Sequence, residues 1–411
     1  MASASLKRSR TAGSTKTKFT ISMWVKKSAN NAKYLMVNRT DDSNRALFQF
    51  SGNDGLLFQS KYSNSNNAAL ETNRKFRDTN AWYHIVLVGD STLSTAADRT
   101  KLYINGVRET SFSSETQIPS GEHYYINEAT TNGFRVGEKG DGSDFFNGYL
   151  SHVIFLDGVA AAYTDFGLTD ATTGIWKPKV APSVTYGTNG FFLKMDNSGN
   201  MGLDSSGEGN NLTTTGTIIQ TKDTPSNVFA TWNVLDSHYF WGAEESSWCT
   251  NGNTTARSGN SQYSSCTATL GASKGKYYWE FKYVAKSGSQ NLWHLGIKST
   301  QDTTSTNALG EGATDYSYKA YNGQQMNNGS SSAYGSTYAV GDIIGIAMDL
   351  DNNKLYFHKN GTYLNSGVPT SGSTGTGAIS IADASTTAFG FYVPAFSWND
   401  GSSYGTNSVN F

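Results

Sequence analysis

Apolar residues along this chain recur mostly at every second position, the period of a strand with one buried face. In KFTISMWVKK (residues 18–27), Phe19, Ile21, Met23 and Val25 share a face. In AWYHIVLVGD (residues 81–90), Trp82, His84, Val86 and Val88 share one face, and Tyr83, Ile85 and Leu87 the other. RTKLYINGVRE (residues 99–109) reads as strand, turn and return strand. Its Asn105-Gly106 pair suits a type I′ hairpin, whose two central residues both take positive φ. GYLSHVIFLDGVA (residues 148–160) is a further strand with an Asp-Gly turn. Windows with apolar residues at i, i+3, i+4 and i+7 are scarce and short, so the pattern predicts an all-β protein.

The second half repeats this texture. GKYYWEFKYV (275–284), LWHLGIKS (292–299), GDIIGIAMDL (341–350), KLYFHKNGTYL (354–364), FGFYVPAFSW (389–398) and NSVNF (407–411) all read as strands. TKLYINGVRE and NKLYFHKNGTYL each carry a Lys-Leu-Tyr strand into an Asn-Gly turn, a short echo that supports two similar sandwiches without proving duplication. Residues 177–236 are rich in Gly, Ser, Asn and Thr, yet NGFFLKM (189–195) is a strand that would complete the first sandwich. KDTPSNVFATWN (222–233) holds Phe229 and Trp232, aromatics that a free linker would not need. The predicted organisation is a first sandwich at 1–197, a packed connector at 198–236 and a second sandwich at 237–411. Trp24, Trp82 and Tyr103 are expected in the first core, and Trp279, Ile346 and Phe357 in the second.

Composition narrows the picture. Hydrophobic residues are only 37% and Gly reaches 43 against 6 Pro, which fits many short strands joined by polar turns. The formal net charge of -1 gives no basic field to draw nucleic acid. Lys7, Arg8, Arg10, Lys16 and Lys18 make a basic start, read as a solvated arm, with contact to a partner protein as the sharper alternative. No stretch has the apolar length of a bilayer span, and MASASLKRSR lacks the apolar core of a signal peptide, so no membrane insertion is expected. Cys249 and Cys266 are too few for a disulfide scaffold or a zinc site. One bridge and two free thiols both stay open.

Three stretches of the second half resemble a SPRY domain: GKYYWEFKY, YAVGDIIGIAMDLDNNKLYFHKNG and YVPAFSWNDGSSYGTNSVNF. The first half is similar to the concanavalin A-like, laminin-G-like sandwich through FTISMWVKK, AWYHIVLV, KLYINGV and FNGYLSHVIFLDGVA. The resemblance implies two tandem antiparallel β-sandwiches, a concanavalin A-like jelly roll and then a SPRY-like sandwich. YTDFGLTDATTGIWKPK (163–179), YGTNGFFLKM, LDSSGEGNNLT and KDTPSNVFATWN resemble segments of marine bacteriophage virion proteins that carry the same two modules in tandem. That likeness implies a fibre, appendage or capsid decoration protein on the virion surface. Its partners would be other virion proteins, host surface glycans or further copies of itself.

Catalysis finds little footing. Concanavalin A-like glycosidases need two carboxylates about 5–10 Å apart. No strand carries them at alternate positions; Glu244 and Glu245 are neighbours that point oppositely, and Glu138, Asp141 and Asp144 lie in a Gly-rich loop. The six His (84, 123, 152, 238, 294, 358) form no metal motif, and His84 and His152 read as structural. Asp349 and Asp351, in DLDNNKL, raise the choice between a metal site and a strand-end bend. The bend is the better reading, with Asn352-Asn353 as the turn, because calcium asks for about six oxygens. Asp196, Asn197 and Asp204 likewise read as a polar loop before a calcium site. No catalytic residue, metal or cofactor is therefore expected. What remains is an aromatic surface, with Trp398, Asn399 and Asp400 as the preferred contact patch and Tyr316, Tyr318 and Tyr321 behind it. Tyr334, Tyr338 and Tyr404 also fall in loop-like stretches. Alternation with Phe396 would instead turn Trp398 into the core. The expected function is non-enzymatic attachment; a carbohydrate-active enzyme and a cellular SPRY-type adaptor are the alternatives.

Overall fold

The computed structural model describes residues 4–9, 11, 15–130, 132–238, 248–258, 264–300, 308–398 and 403–411. The chain forms two compact units, Met1–Val228 and Phe229–Phe411. The division cuts the stretch 198–236 that the sequence set apart as a connector. Thr213–Thr215 pairs with Ser5–Arg8 at the edge of the first unit, and Trp232–His238 opens the second. Strands dominate both units, punctuated by 3-10 turns of three residues.

The first unit stacks two antiparallel sheets. One runs, in spatial order, Phe112–Thr116, Ser65–Thr72, Leu56–Tyr62, Arg45–Phe50, Lys33–Arg39, Phe134–Val136, Ser5–Arg8 and Thr213–Thr215. The other runs Phe191–Leu193, Gly148–Asp157, Lys18–Lys27, Trp82–Asp90, Thr100–Ile104 and Val107–Arg108. Alternation decides what lies between them: Phe19, Ile21, Met23 and Val25 join Phe48, Phe50, Phe58 and Phe134 in one apolar core. Asn105 and Gly106 both take positive φ, as the type I′ turn requires.

The outer face of the second sheet is not open to water. Strand Lys18–Lys27 is buried at nine of its ten positions, so both of its faces are covered. Val86, Val88, Ile154 and Leu156 pack under Phe166 and Tyr186. Trp24, Trp82 and Tyr149 pack under Trp176. Trp24 and Trp82 are buried as expected, but in this outer layer. Tyr103 is a correction: it is half-buried and stacks on Tyr163 with ring centroids 4.6 Å apart. Its strand is short, so its outer side is only partly roofed.

The second unit is also a two-sheet sandwich. Trp232–His238, Ser264–Ala268, Val393–Trp398, Trp293–Lys298, Tyr316–Lys319, Gln324–Asn327 and Ser330–Ala333 form one sheet. Cys249–Thr250, Thr255–Arg257, Gly405–Asn410, Lys276–Lys286, Ile343–Asp349, Lys354–Lys359 and Thr362–Tyr363 form the other, with Ile379–Ser380 attached to Lys354–Lys359. Trp279, Ile346 and Phe357 all lie in the core, beside Trp293, Phe396 and Trp398. Cys249 and Cys266 are free buried thiols, and burial pushes both thiol pKa values up, which keeps them protonated.

Candidate functional site

In the first unit Ser22 and His84 bring together side chains capable of chemistry, and the arrangement disarms them. Ser22 and His84 sit diagonally on neighbouring strands, Ser22 opposite Val86 and His84 opposite Trp24, with Oγ and Nε2 2.9 Å apart. Such a pair would suggest a nucleophile and its base. Both residues are buried, however, and the Trp176 indole N–H donates to His84 Nδ1 at 2.9 Å. The neutral ring must then carry its proton on Nε2 and donate it to Ser22, so it has no free lone pair to take the Ser proton. Trp24 stacks on the same ring at 4.7 Å. Burial, reinforced by His152, holds His84 down at about 3. His152 sits at a bulge with φ 49°, its Nδ1 2.7 Å from the Oγ of its neighbour Ser151.

The acidic candidates are tied up as well. Glu138 pairs with Arg135 at 2.7 Å, Asp141 with Arg39 at 3.2 Å and Lys139 at 3.3 Å, and Asp144 with Lys33 at 3.4 Å. Burial works to raise the Asp141 carboxyl, but the Ser143 hydroxyl and Lys139 together hold it at about 2, far from a general acid. Asp204 accepts from the backbone N–H of Phe192, Ser206 and Asn210, while Asp196 and Asn197 are exposed. Asp349 accepts from the N–H of Asp351 and Asn352 and pairs with Lys276 at 3.1 Å; Asp351 accepts from Gly275 N–H. The acidic stretch is thus the scaffold of a hairpin bend, closed by Asn353 at φ 56°. Among the described residues no three His, Cys, Asp or Glu converge as a metal site would.

The proposed aromatic patch needs correction. Trp398 is fully buried; its indole donates to Ser403 O at 2.9 Å and its ring meets Trp293 edge-on at 4.9 Å. Even-numbered residues of Val393–Trp398 point inward, so alternation with Phe396 decides its direction. Tyr316 and Tyr318 are core residues too, and so are Tyr334 and Tyr338. Tyr321 is exposed, with Lys319 Nζ 5.4 Å from its ring centre. Tyr404 is half-buried under the Arg257 guanidinium. Asn399 and Asp400 lie outside the described residues.

A different aromatic group is exposed. In Lys276–Lys286, Trp279, Phe281 and Tyr283 face the core, so Tyr278, Glu280 and Lys282 face outward. The Tyr278 hydroxyl donates to Glu280 Oε1 at 2.7 Å and lies 2.8 Å from His358 Nε2. Gly361 N–H donates to His358 Nδ1 at 3.1 Å, so Nε2 carries the proton and donates to Tyr278. The two rings stack at 5.8 Å, and Tyr363 meets His358 edge-on at 5.2 Å. Gly345 makes this possible, since a Cβ there would lie 1.9 Å from His358 Nε2. The signal was present in the sequence as the outward positions of KYYWEFKY.

A sequence model described as the concanavalin A-like lectin/glucanases superfamily (laminin G type) matches residues 3–163, and one for the SPRY domain matches residues 276–406. The chain therefore carries a concanavalin A-like domain followed by a SPRY domain, modules typical of binding and adaptor proteins. It is similar to Ran-binding protein 9 of Danio rerio, 31% identical over 96 residues, covering 23% of this chain and 16% of that protein. It is also similar to E3 ubiquitin-protein ligase RKP of Arabidopsis thaliana, 32% identical over 142 residues, covering 34% of this chain and 10% of that protein. The chain thus spans a small part of the length of the curated relatives it matches. Among solved structures, the SPRY domain of human HERC1 aligns with TM-score 0.32 and 17% identity over 43% of this chain and 96% of that one. A candidate carbohydrate-binding protein of Bacteroides ovatus aligns with TM-score 0.39 and 18% identity over 54% of this chain and 58% of that one.

Proposed function

We propose that this chain is a non-enzymatic attachment protein of a bacteriophage virion surface, a capsid decoration, appendage or tail-fibre protein. It holds neighbouring virion proteins, host surface glycans, or both. The observation that carries the non-enzymatic part is the Ser22–His84 pair: its imidazole is buried and held by Trp176 in the tautomer that cannot act as base. The ion-paired Glu138, Asp141 and Asp144 add support, because a glycosidase needs one protonated and one free carboxyl. The virion part is supported by the resemblance of the 163–179 and 222–233 segments to phage virion proteins. Here these segments supply Trp176 and Asp223 to the outer layer of the first sandwich.

A second reading, a cellular SPRY-type adaptor, is favoured by the Ran-binding and ubiquitin-ligase relatives. Mass spectrometry of gradient-purified particles from the lysate that encodes this chain separates the two. The proposal expects the chain at stable stoichiometry with the capsid protein, without reducing-sugar release from a polysaccharide panel. Absence from particles, with recovery in host-cell complexes, overturns the virion assignment; sugar release overturns the non-enzymatic one.

A further inference from the structure

The outward row of the SPRY unit has the chemistry of a ligand platform. Tyr278 is 48% exposed yet fixed, with its hydroxyl between Glu280 and His358 and its ring stacked on the imidazole. A ring locked before binding loses little rotamer freedom when a ligand covers it. Glu280 sits opposite Gly345 on one neighbouring strand and Asn410 on the other, so the His358 imidazole, which lies over Gly345, flanks it on one side and an exposed amide on the other. Glu280 forms no ion pair among the described residues, which leaves its carboxylate able to accept from a hydroxyl. Lys282 lies two positions on along the same row. Carboxylate and ammonium offset each other there, so the face offers no net field to an ionic polymer. A complementary ligand is uncharged, has an apolar ring face for Tyr278, and has hydroxyls for Glu280 and Asn410.

We infer that the Tyr278–Glu280–His358 face of the SPRY unit binds a neutral saccharide, with the Tyr278 ring stacked against the C–H face of a pyranose. This rests on reading the chain as a binding protein and assigns the glycan contact to the second sandwich. His358 is a positioning residue: it is buried and acts by fixing the Tyr278 hydroxyl.

Affinity electrophoresis of the full chain through gels cast with mannan, xylan, mixed-linkage β-glucan or agarose tests this, alongside Tyr278→Ala, Tyr278→Phe and Lys282→Ala. The wild type should be retarded by at least one of these neutral polymers. Tyr278→Ala should weaken retardation at least about tenfold, while Tyr278→Phe keeps the ring and stays within about threefold. Lys282→Ala should be near wild type, and all variants should keep the wild-type melting temperature, because the tyrosine lies outside the core. Equal retardation of wild type and Tyr278→Ala overturns the inference and leaves the attachment reading intact. Retardation by none of the polymers, or only by an anionic polymer and abolished by salt, also overturns it. Shortened oligosaccharides in the gel overturn both.

Discussion

Asp223→Ala should unfold the first sandwich more easily than any surface substitution. The Lys26 and Asp223 side chains are 1% and 6% exposed, and their Nζ and Oδ2 atoms are 2.7 Å apart. The other carboxylate oxygen accepts from the Trp82 indole at 2.9 Å. Asn80 Oδ1 at 3.0 Å and the Tyr149 ring at 5.3 Å also face the ammonium, but both are neutral. Deleting the carboxylate removes the anion that pairs with this buried ammonium and leaves Asp78 as a carboxylate acting on it, at a cost of about 3–5 kcal/mol. For a unit of this size that is roughly 6–20 °C in melting temperature, at about 2–4 °C per kcal/mol. Guanidinium unfolding followed by tryptophan fluorescence reads it. The double variant Lys26→Met/Asp223→Leu should recover most of the loss, because it removes both charges. Burial holds the Lys26 ammonium below its usual range, and Asp223 opposes that shift. In Asp223→Ala the folded chain therefore releases this proton at lower pH than the unfolded chain. Stability then rises with pH between those two values, so the deficit should narrow as the pH rises toward about 10. A loss under about 1 kcal/mol, the size of a solvent-exposed pair, would refute the reasoning.

Trp398→Ala should cost the second sandwich about 3–5 kcal/mol in equilibrium unfolding, since a fully buried indole is removed; an unchanged melting temperature would return it to the surface. Burial holds His84 at about 3 and His294 at about 4, both below the unfolded value near 6.5, so the unfolded chain binds more protons between those limits. Stability of each sandwich should fall as pH drops below about 6.5, by up to about 1.4 kcal/mol per pH unit and histidine, and His84→Phe should flatten the slope of the first. Gly345→Ala should displace the His358 ring and destabilise the second unit by about 1–3 kcal/mol in the same unfolding assay, because a Cβ there would lie 1.9 Å from the imidazole.

Much of the fold was legible because strand period and turn chemistry are local. Asn105-Gly106 named its own turn, and Phe19, Ile21, Met23 and Val25 named the core face. Alternation could not say that the opposite face, with Trp24 and Ser22, would be roofed by a distant segment. Lys26 and Asp223 are separated by 197 positions, and nothing in either neighbourhood announces the other. Trp398 failed as a surface candidate because a residue at a strand end next to a polar turn can point either way. Its parity with Phe396 was the better guide. Tyr278 was readable from the same rule applied to KYYWEFKY, but its bond to His358 depends on the register that sets Glu280 beside Gly345 and Gly345 beside His358.

Immunogold labelling of intact, unstained particles with antibody raised against the unit Phe229–Phe411 tests the attachment account most directly. The account predicts gold at regular positions on the outer surface of the capsid or tail, and none on particles from a deletion of this gene. Particles that stay unlabelled while the chain is recovered only from the soluble host fraction would contradict it.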